Sequence, residues 1–138
     1  MAYQTRKVKY CHVTVPSRPG QGTRILEPLK DAGVNLLAFT GFPVGGRKAQ
    51  VDLVTDDIRG VQRVAKENDW RLSKVKKGFL VQGTDEIGAV DKVLSRLADE
   101  DINVTAVDAV AAGKGRFGMI FWVNPAKYNK AARVLKAK

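Results

Sequence analysis

Few residues in this chain are able to do chemistry. Among 138 residues there is one Cys and one His, and they are neighbours, Cys11 and His12, in a run from Val8 to Val15 that alternates as a strand. Successive strand residues point to opposite faces, so this thiol and imidazole cannot form a nucleophile and base pair with each other. One thiol and one imidazole also fall short of the four ligands of a structural zinc site, and a lone Cys makes no internal disulfide. No serine elbow, Walker loop or metal-ligand spacing occurs. The expectation is a protein without catalytic residues, metal or cofactor.

What remains is a loop. Pro16, Ser17, Arg18, Pro19 and Gly20 precede a segment in which Ile25, Leu26 and Leu29 fall at helical spacing. A glycine loop running into a helix N-terminus exposes backbone N–H groups and the positive end of the helix dipole, which suits a carboxylate or phosphate. Gly20 and Gly22 would let a ligand approach the backbone closely, and the same glycines equally suit a plain tight turn. The net charge is +10. It is spread, with 14 basic and 7 acidic groups in residues 1–76 and 10 and 7 in residues 77–138. Its dense clusters, Arg6, Lys7, Lys9 and Arg71, Lys74, Lys76, Lys77, are spaced like solvated strand edges. Solubility or attraction of a small anion is favoured over nucleic acid as the meaning of this charge.

The elements that would hold the loop repeat along the chain. An ungapped shift of 68 residues aligns Val13 with Val81, Gly20 with Gly88, Leu29 with Leu97, Asn35 with Asn103 and Gly45 with Gly113. These matches sit at turns and on apolar faces, where geometry restricts residue choice. In the first half, Val8–Val15 reads as a strand, 22–32 as a helix containing Pro28, Val34–Val44 and Lys48–Thr55 as a hairpin, Ile58–Ala65 as a second helix and Trp70–Val75 as a last strand. In the second half, strand 79–82, helix 87–97, strands 102–111 and 116–123 and helix 125–135 repeat the first five elements. The predicted fold is α+β: two ferredoxin-like βαββαβ repeats, 1–76 and 77–138, each an antiparallel sheet with its helices on one face. The second repeat lacks its own last strand, and Tyr3–Lys9, which has no counterpart in the repeat, is a candidate to fill that edge.

The loop Pro16 to Gly20 leading into a helix, followed by Ala32, Gly33, Val34 and Asn35, resembles the signature of the ACT domain, a small-molecule-sensing module of enzymes of amino-acid metabolism. The second half resembles it more weakly, keeping Gly88, Asp101, Ile102 and Asn103 but carrying Ile87 where the first half has Pro19. The likeness spans about Val8 to Leu135 as a tandem pair with no catalytic domain. It implies an amino acid or similar anion held between paired domains. Carried over by position, the ligand-binding residues would be Arg18, Pro19, Gly20, Gln21, Gly22, Asn35, Gly88 and Asn103. Two departures stand out. The usual Pro-Gly-x-Leu loop has Gly22 and Val90 at the leucine position, so either space opens there or the helix starts later. Asp85 and Glu86 in the second loop would repel a carboxylate and could meet an ammonium.

The alternative is an RNA-binding protein of the same element order. The run Lys114 to Phe121 resembles the strand signature whose aromatics stack on bases. However, Arg116 interrupts its order, Met119 replaces a ring, and Phe117, Met119 and Phe121 share one face with the spacing of a core strand. Their first-half equivalents, Ala49, Val51 and Leu53, favour the core. The opposite face carries Gly118, Ile120 and Trp122 against Gln50, Asp52 and Val54. A second sheet apolar on both faces predicts cover from the other half or from another chain, such as a homodimer. No signal-peptide core or bilayer-length apolar run is present, so the expected location is cytoplasmic and off the membrane. The expected role is a noncatalytic sensor that passes occupancy to a partner enzyme or regulator.

Overall fold

A computed structural model describes residues 2–138. In chain order it contains β1 (Tyr3–Pro16), α1 (Gln21–Asp31), β2 (Ala38–Gly45), β3 (Lys48–Thr55), α2 (Ile58–Glu67), β4 (Lys76–Thr84), α3 (Ala89–Asp99), β5 (Val104–Gly113), β6 (Arg116–Val123) and, after a short turn of 3-10 helix, α4 (Tyr128–Val134). The chain divides into two compact units. One is Lys9–Lys76, and the other joins the residues through Val8 to Lys77–Lys138. Residues 2–8 thus group with the second repeat rather than with the half that follows them.

In the Lys9–Lys76 unit the strand order is β2-β3-β1. The β1–β3 register sets Cys11 opposite Leu53 and Val13 opposite Val51, which aligns the apolar residues of both strands on one face. Ile25 and Leu29 of α1 and Val61 and Val64 of α2 pack on that face, in one cluster with Val13, Val15, Val51 and Leu53. Both helices therefore lie on the same side. Cys11 is fully buried, a small apolar core residue in keeping with its place in the alternation. The helix α2 starts where Asp57 accepts from the Gly60 N–H at 3.0 Å, satisfying a first-turn donor.

The expected strand Trp70–Val75 does not form; that stretch has no regular structure. Ser73 bonds to His12 twice, with Ser73 N–H donating to the His12 carbonyl at 3.0 Å and His12 N–H donating to Ser73 Oγ at 2.8 Å. The hydroxyl takes the donor that a ladder would give to a backbone carbonyl. Side-chain capture of this kind competes with regular pairing.

In the other unit the order is β1-β4-β6-β5. The N-terminal half of β1 occupies the edge beside β4, the position expected for Tyr3–Lys9. Its other edge also has partners, since Lys7 N–H donates to the Lys138 carbonyl and Lys138 N–H to the Thr5 carbonyl. Phe79, Val81, Phe117, Met119 and Phe121 form one face, packed with Val93 and Leu97 of α3 and Ala131 and Ala132 of α4. Phe79 stacks on Phe121 at 5.1 Å and on Tyr128 at 4.6 Å. The rings that would have stacked on bases are core, as their spacing suggested. Ile120 and Trp122, on the opposite face, are only 5% and 8% exposed. Burial within a single chain removes the need for a second chain to cover them.

Hydrogen bonds repeat between the halves at the same 68-residue offset. Val34 N–H donates to the Leu29 carbonyl as Ile102 N–H does to Leu97, and Gly33 to Lys30 as Asp101 does to Ala98. Gly33 and Asp101 both have positive φ, 75° and 58°, which closes each helix with a left-handed residue. No helix is long and apolar enough to cross a membrane among the described residues.

The β1–β4 contact yields a test. A Cβ on Gly83 would lie 2.4 Å from the Ala2 carbonyl oxygen and 2.8 Å from the Tyr3 Cα, backbone that cannot rotate away. Gly83→Ala should destabilise the protein by about 1 to 3 kcal/mol. By contrast, a Cβ on Gly22 would meet nothing within 4 Å, so Gly22→Ala should hold or raise stability. Urea unfolding of the two variants beside the parent checks both.

Candidate functional site

The loop before α1 is built by a small set of backbone bonds. Ser17 N–H donates to the Arg47 carbonyl at 2.9 Å, tying the loop to the β2–β3 turn, while Gln21 N–H reaches the Arg18 carbonyl at 3.4 Å and Arg24 N–H the Gly20 carbonyl at 3.1 Å. Gly20 precedes the helix with φ 87° and offers no side-chain cap. A residue with Cβ would be strained there. Between the bonded amides of Gln21 and Arg24 lie those of Gly22 and Thr23, the two first-turn donors with no protein acceptor among the described residues. A helix N-terminus with open donors and no acidic cap is suited to an anion.

The loop before α3 reproduces this arrangement. Asp85 N–H donates to the Gly115 carbonyl at 2.8 Å, Ala89 N–H to Glu86 at 3.1 Å and Lys92 N–H to Gly88 at 3.0 Å. Gly88 takes φ 80°. Each bond is the counterpart of one in the first loop. The side chains differ: Asp85 and Glu86 are exposed where Ser17 and Arg18 stand in the first loop, and Glu86 is paired with Lys92 at 2.5 Å. Ile87, in place of Pro19, is fully solvent exposed.

Each unit has an open cleft. In the first, a cleft of about 460 Å³ is lined by Leu26, Leu29, Lys30, Gly33, Val34, Asn35 and Leu36. In the second, a cleft of about 260 Å³ is lined by Asp85, Glu86, Gly88, Ala89, Val90, Asp91, Ala109, Val110, Ala111 and Phe117. Of the predicted site residues, Gly88 lines the second cleft and Asn35 the first. Arg18, Pro19, Gly20, Gln21 and Gly22 form the first loop, and Asn103 directly precedes β5. Asn35 does not begin β2: the strand expected from Val34 starts at Ala38. The Asn35 carbonyl accepts from Thr55 Oγ1 at 2.7 Å. Likewise β5 starts at Val104. At Gly22 the helix has already begun and the space beside it is open, so the missing leucine leaves room rather than marking a late helix start.

A polar cluster on the other face of the first unit's sheet was not anticipated. Asp52 is 4% exposed and accepts from Thr40 Oγ1 at 2.6 Å and Gln50 Nε2 at 3.0 Å. It sits opposite His12 in the β1–β3 register, and Lys76 Nζ lies 3.2 Å from His12 Nδ1. With the ammonium donating, Nδ1 is the acceptor of a neutral ring. Burial, then the Lys76 charge, lower the His12 pKa, and Asp52 partly opposes them. Burial and the Asp52 carboxylate push Tyr10 up to about 12. The signal available in sequence was an acid among apolar neighbours, Val51 to Val54, with Gln50 on the same strand face; Thr40 and His12 are 12 and 40 residues away from it and could not be read from spacing.

No metal-binding group of three or more His, Cys, Asp or Glu side chains is present among the described residues. The fold is α+β, with six strands and four α-helices among the described residues. No protein-family pattern matches the sequence, and no curated protein matches it. Solved structures do. Protein BT0572 from Bacteroides thetaiotaomicron superposes with a TM-score of 0.79 at 18% identity, over 96% of this chain and 88% of that one. The regulatory subunit of aspartate kinase from Thermus thermophilus gives 0.68 at 11% identity, over 99% and 95%. That from Thermus flavus gives 0.64 at 14% identity, over 99% and 95%. At these identities the likeness is one of fold.

The cluster predicts a pH dependence. Because the folded state depresses the His12 pKa below 6.5, the unfolded chain binds its proton more readily, and stability present above pH 6.5 falls as pH drops through it. Tyr10 acts at the other end: its raised pKa makes stability fall as pH climbs from 10 toward 12. In thermal melts between pH 5 and 8, His12→Gln should flatten the acid-side loss seen in the parent. Ultraviolet titration should show one tyrosine ionising near pH 12, and that step should vanish in Tyr10→Phe.

Proposed function

We propose that this chain is a noncatalytic, cytoplasmic sensor built from tandem ACT-type repeats, 1–76 and 77–138, that binds an amino acid and relays its occupancy to an enzyme or regulator. The observation that carries this reading is the duplicated loop: a left-handed glycine, the same tether to a hairpin turn and two open first-turn amides, at α1 and again at α3. Amides at a helix start complement a carboxylate. Arg18, Pro19, Gly20, Gln21 and Gly22 would supply that pole in the first repeat. Asn35 and Asn103 would supply side-chain amides, and Gly88 with its acidic neighbours would favour the ammonium of a zwitterion. The neighbouring regulatory subunits of aspartate kinase support a regulatory role on this fold. We further propose that the chain works as a homodimer, with ligand acting by stabilising one arrangement of paired domains.

A thermal-shift screen of the common amino acids tests the reading, since a ligand that binds the folded state raises the melting temperature in proportion to occupancy. One amino acid, or one side-chain class, should raise it. Gly22→Leu, which fills the open space beside α1, should reduce that shift while the unliganded melting temperature holds or rises, because a helical glycine costs about 0.5 to 1 kcal/mol relative to alanine. A shift with RNA alone, fading steeply with salt, would overturn the proposal in favour of nucleic-acid binding.

A further inference from the structure

The chain has one histidine, and two kinds of contact to it hold the stretch that leads from α2 to β4. Its backbone takes part in both bonds to Ser73, at 3.0 and 2.8 Å. Its ring accepts at Nδ1 from the Lys76 ammonium, 3.2 Å away. The stretch is otherwise lightly held. Trp70 N–H donates to the Ala65 carbonyl, and Trp70 and Leu72 lie partly buried against the core, whereas Arg71, Lys74 and Val75 are exposed. A segment without regular structure and with few buried contacts opens at low free-energy cost.

A second partner stands opposite the ring. Because both backbone groups of His12 point to Ser73, away from β3, His12 and Asp52 form a non-hydrogen-bonded pair of the β1–β3 ladder, the kind in which side chains come closest. Asp52 accepts one bond at each oxygen, from Thr40 and Gln50, and a carboxylate has lone pairs left for a further donor. A neutral imidazole can accept from Lys76. An imidazolium has no acceptor to offer and repels the ammonium. Tyr10, beside His12 on this face of β1, has its pKa pushed up to about 12 and is neutral wherever the histidine titrates. Thr14, Thr40 and Gln50 carry no charge, and Arg71 and Lys74 only add positive charge to the stretch. Lys76 and Asp52 are the charges that act on the ring, the first against its protonated form and the second in favour of it.

We infer that His12 is a two-position latch: as a neutral ring it holds Lys76, and with it the 70–76 stretch, against β1, and as a cation it turns to Asp52 and lets that stretch go. One partner replaces another within the Lys9–Lys76 unit, so the fold survives while a connecting segment loosens. Acid is the releasing condition, since burial and Lys76 keep the ring's pKa below its ordinary 6.5. No residue of either glycine loop takes part, so the latch is independent of ligand binding.

Nuclear magnetic resonance on the full chain tests this, because a single imidazole gives unambiguous signals. At pH 7.5 the ring should carry its proton on Nε2. As it titrates toward pH 5, amide exchange at His12 and Ser73, corrected for its intrinsic pH dependence, should speed up by at least about fivefold while Val93 in α3 keeps its protection. In Lys76→Met the ring's midpoint should rise, and Ser73 should exchange equally fast at both pH values. His12→Gln should also remove the pH dependence at Ser73, and Asp52→Asn should lower the midpoint. A proton on Nδ1 at pH 7.5, exchange at Ser73 that does not follow the ring, or a pH-dependent Ser73 in Lys76→Met or His12→Gln overturns the latch. Equal loss of protection at Val93 overturns it too, because the whole fold is then opening, and an unmoved midpoint in Asp52→Asn removes the second position.

Discussion

The structure depends on one strand serving two units. β1 spans 14 residues, Tyr3–Pro16, about twice the length of a typical strand. Its C-terminal part pairs with β3 in the Lys9–Lys76 unit, and its N-terminal part closes the edge of β4 in the other. Along β1 the buried residues fall on one face at Tyr3 and Thr5, on the other at Val8, and on the first again at Cys11, Val13 and Val15. The constraint is tightest at Gly83, where the backbone of Ala2 and Tyr3 comes so close that no side chain fits.

On this frame the two loops follow from the same local chemistry. A left-handed glycine turns the chain into a helix, and a bond to the facing hairpin turn fixes the loop from outside. Because the turn is made by backbone, it persists while side chains diverge, which is how Arg18 and Glu86 come to occupy equivalent places in one geometry. The result is two similar amide pairs in different electrostatic surroundings. The first lies in a loop with Arg18, and the second beside Asp85 and Asp91.

The polar cluster around Asp52 is a different kind of structure. A buried carboxylate is tolerated when its oxygens are satisfied, and Thr40 and Gln50 do this for both of them. His12 and Lys76 stand beside it as a neutral ring and an ammonium. The arrangement makes one face of the first unit's sheet polar where the corresponding face of the second carries Ile120 and Trp122.

What could be read without coordinates was whatever is periodic or stereochemically restricted. The alternation of Cys11, Val13 and Val15, the helical spacing of Ile25 and Leu29, and glycines recurring 68 residues apart located the helix faces and the position of both loops, because each depends on neighbours within a few residues. The core assignment of Phe117, Met119 and Phe121 was legible for the same reason. Tertiary structure decided the rest. Trp70–Val75 has the composition of a strand, but the Ser73 hydroxyl captured the His12 amide. Asn35 lies before its strand, with its carbonyl bonded to Thr55 from 20 residues away. Asp52 has Gln50 beside it on β3, but met Thr40 and His12 only when three strands came together. Bonds between distant residues leave no trace in local spacing, and a sequence holds the donors and acceptors without stating which will meet.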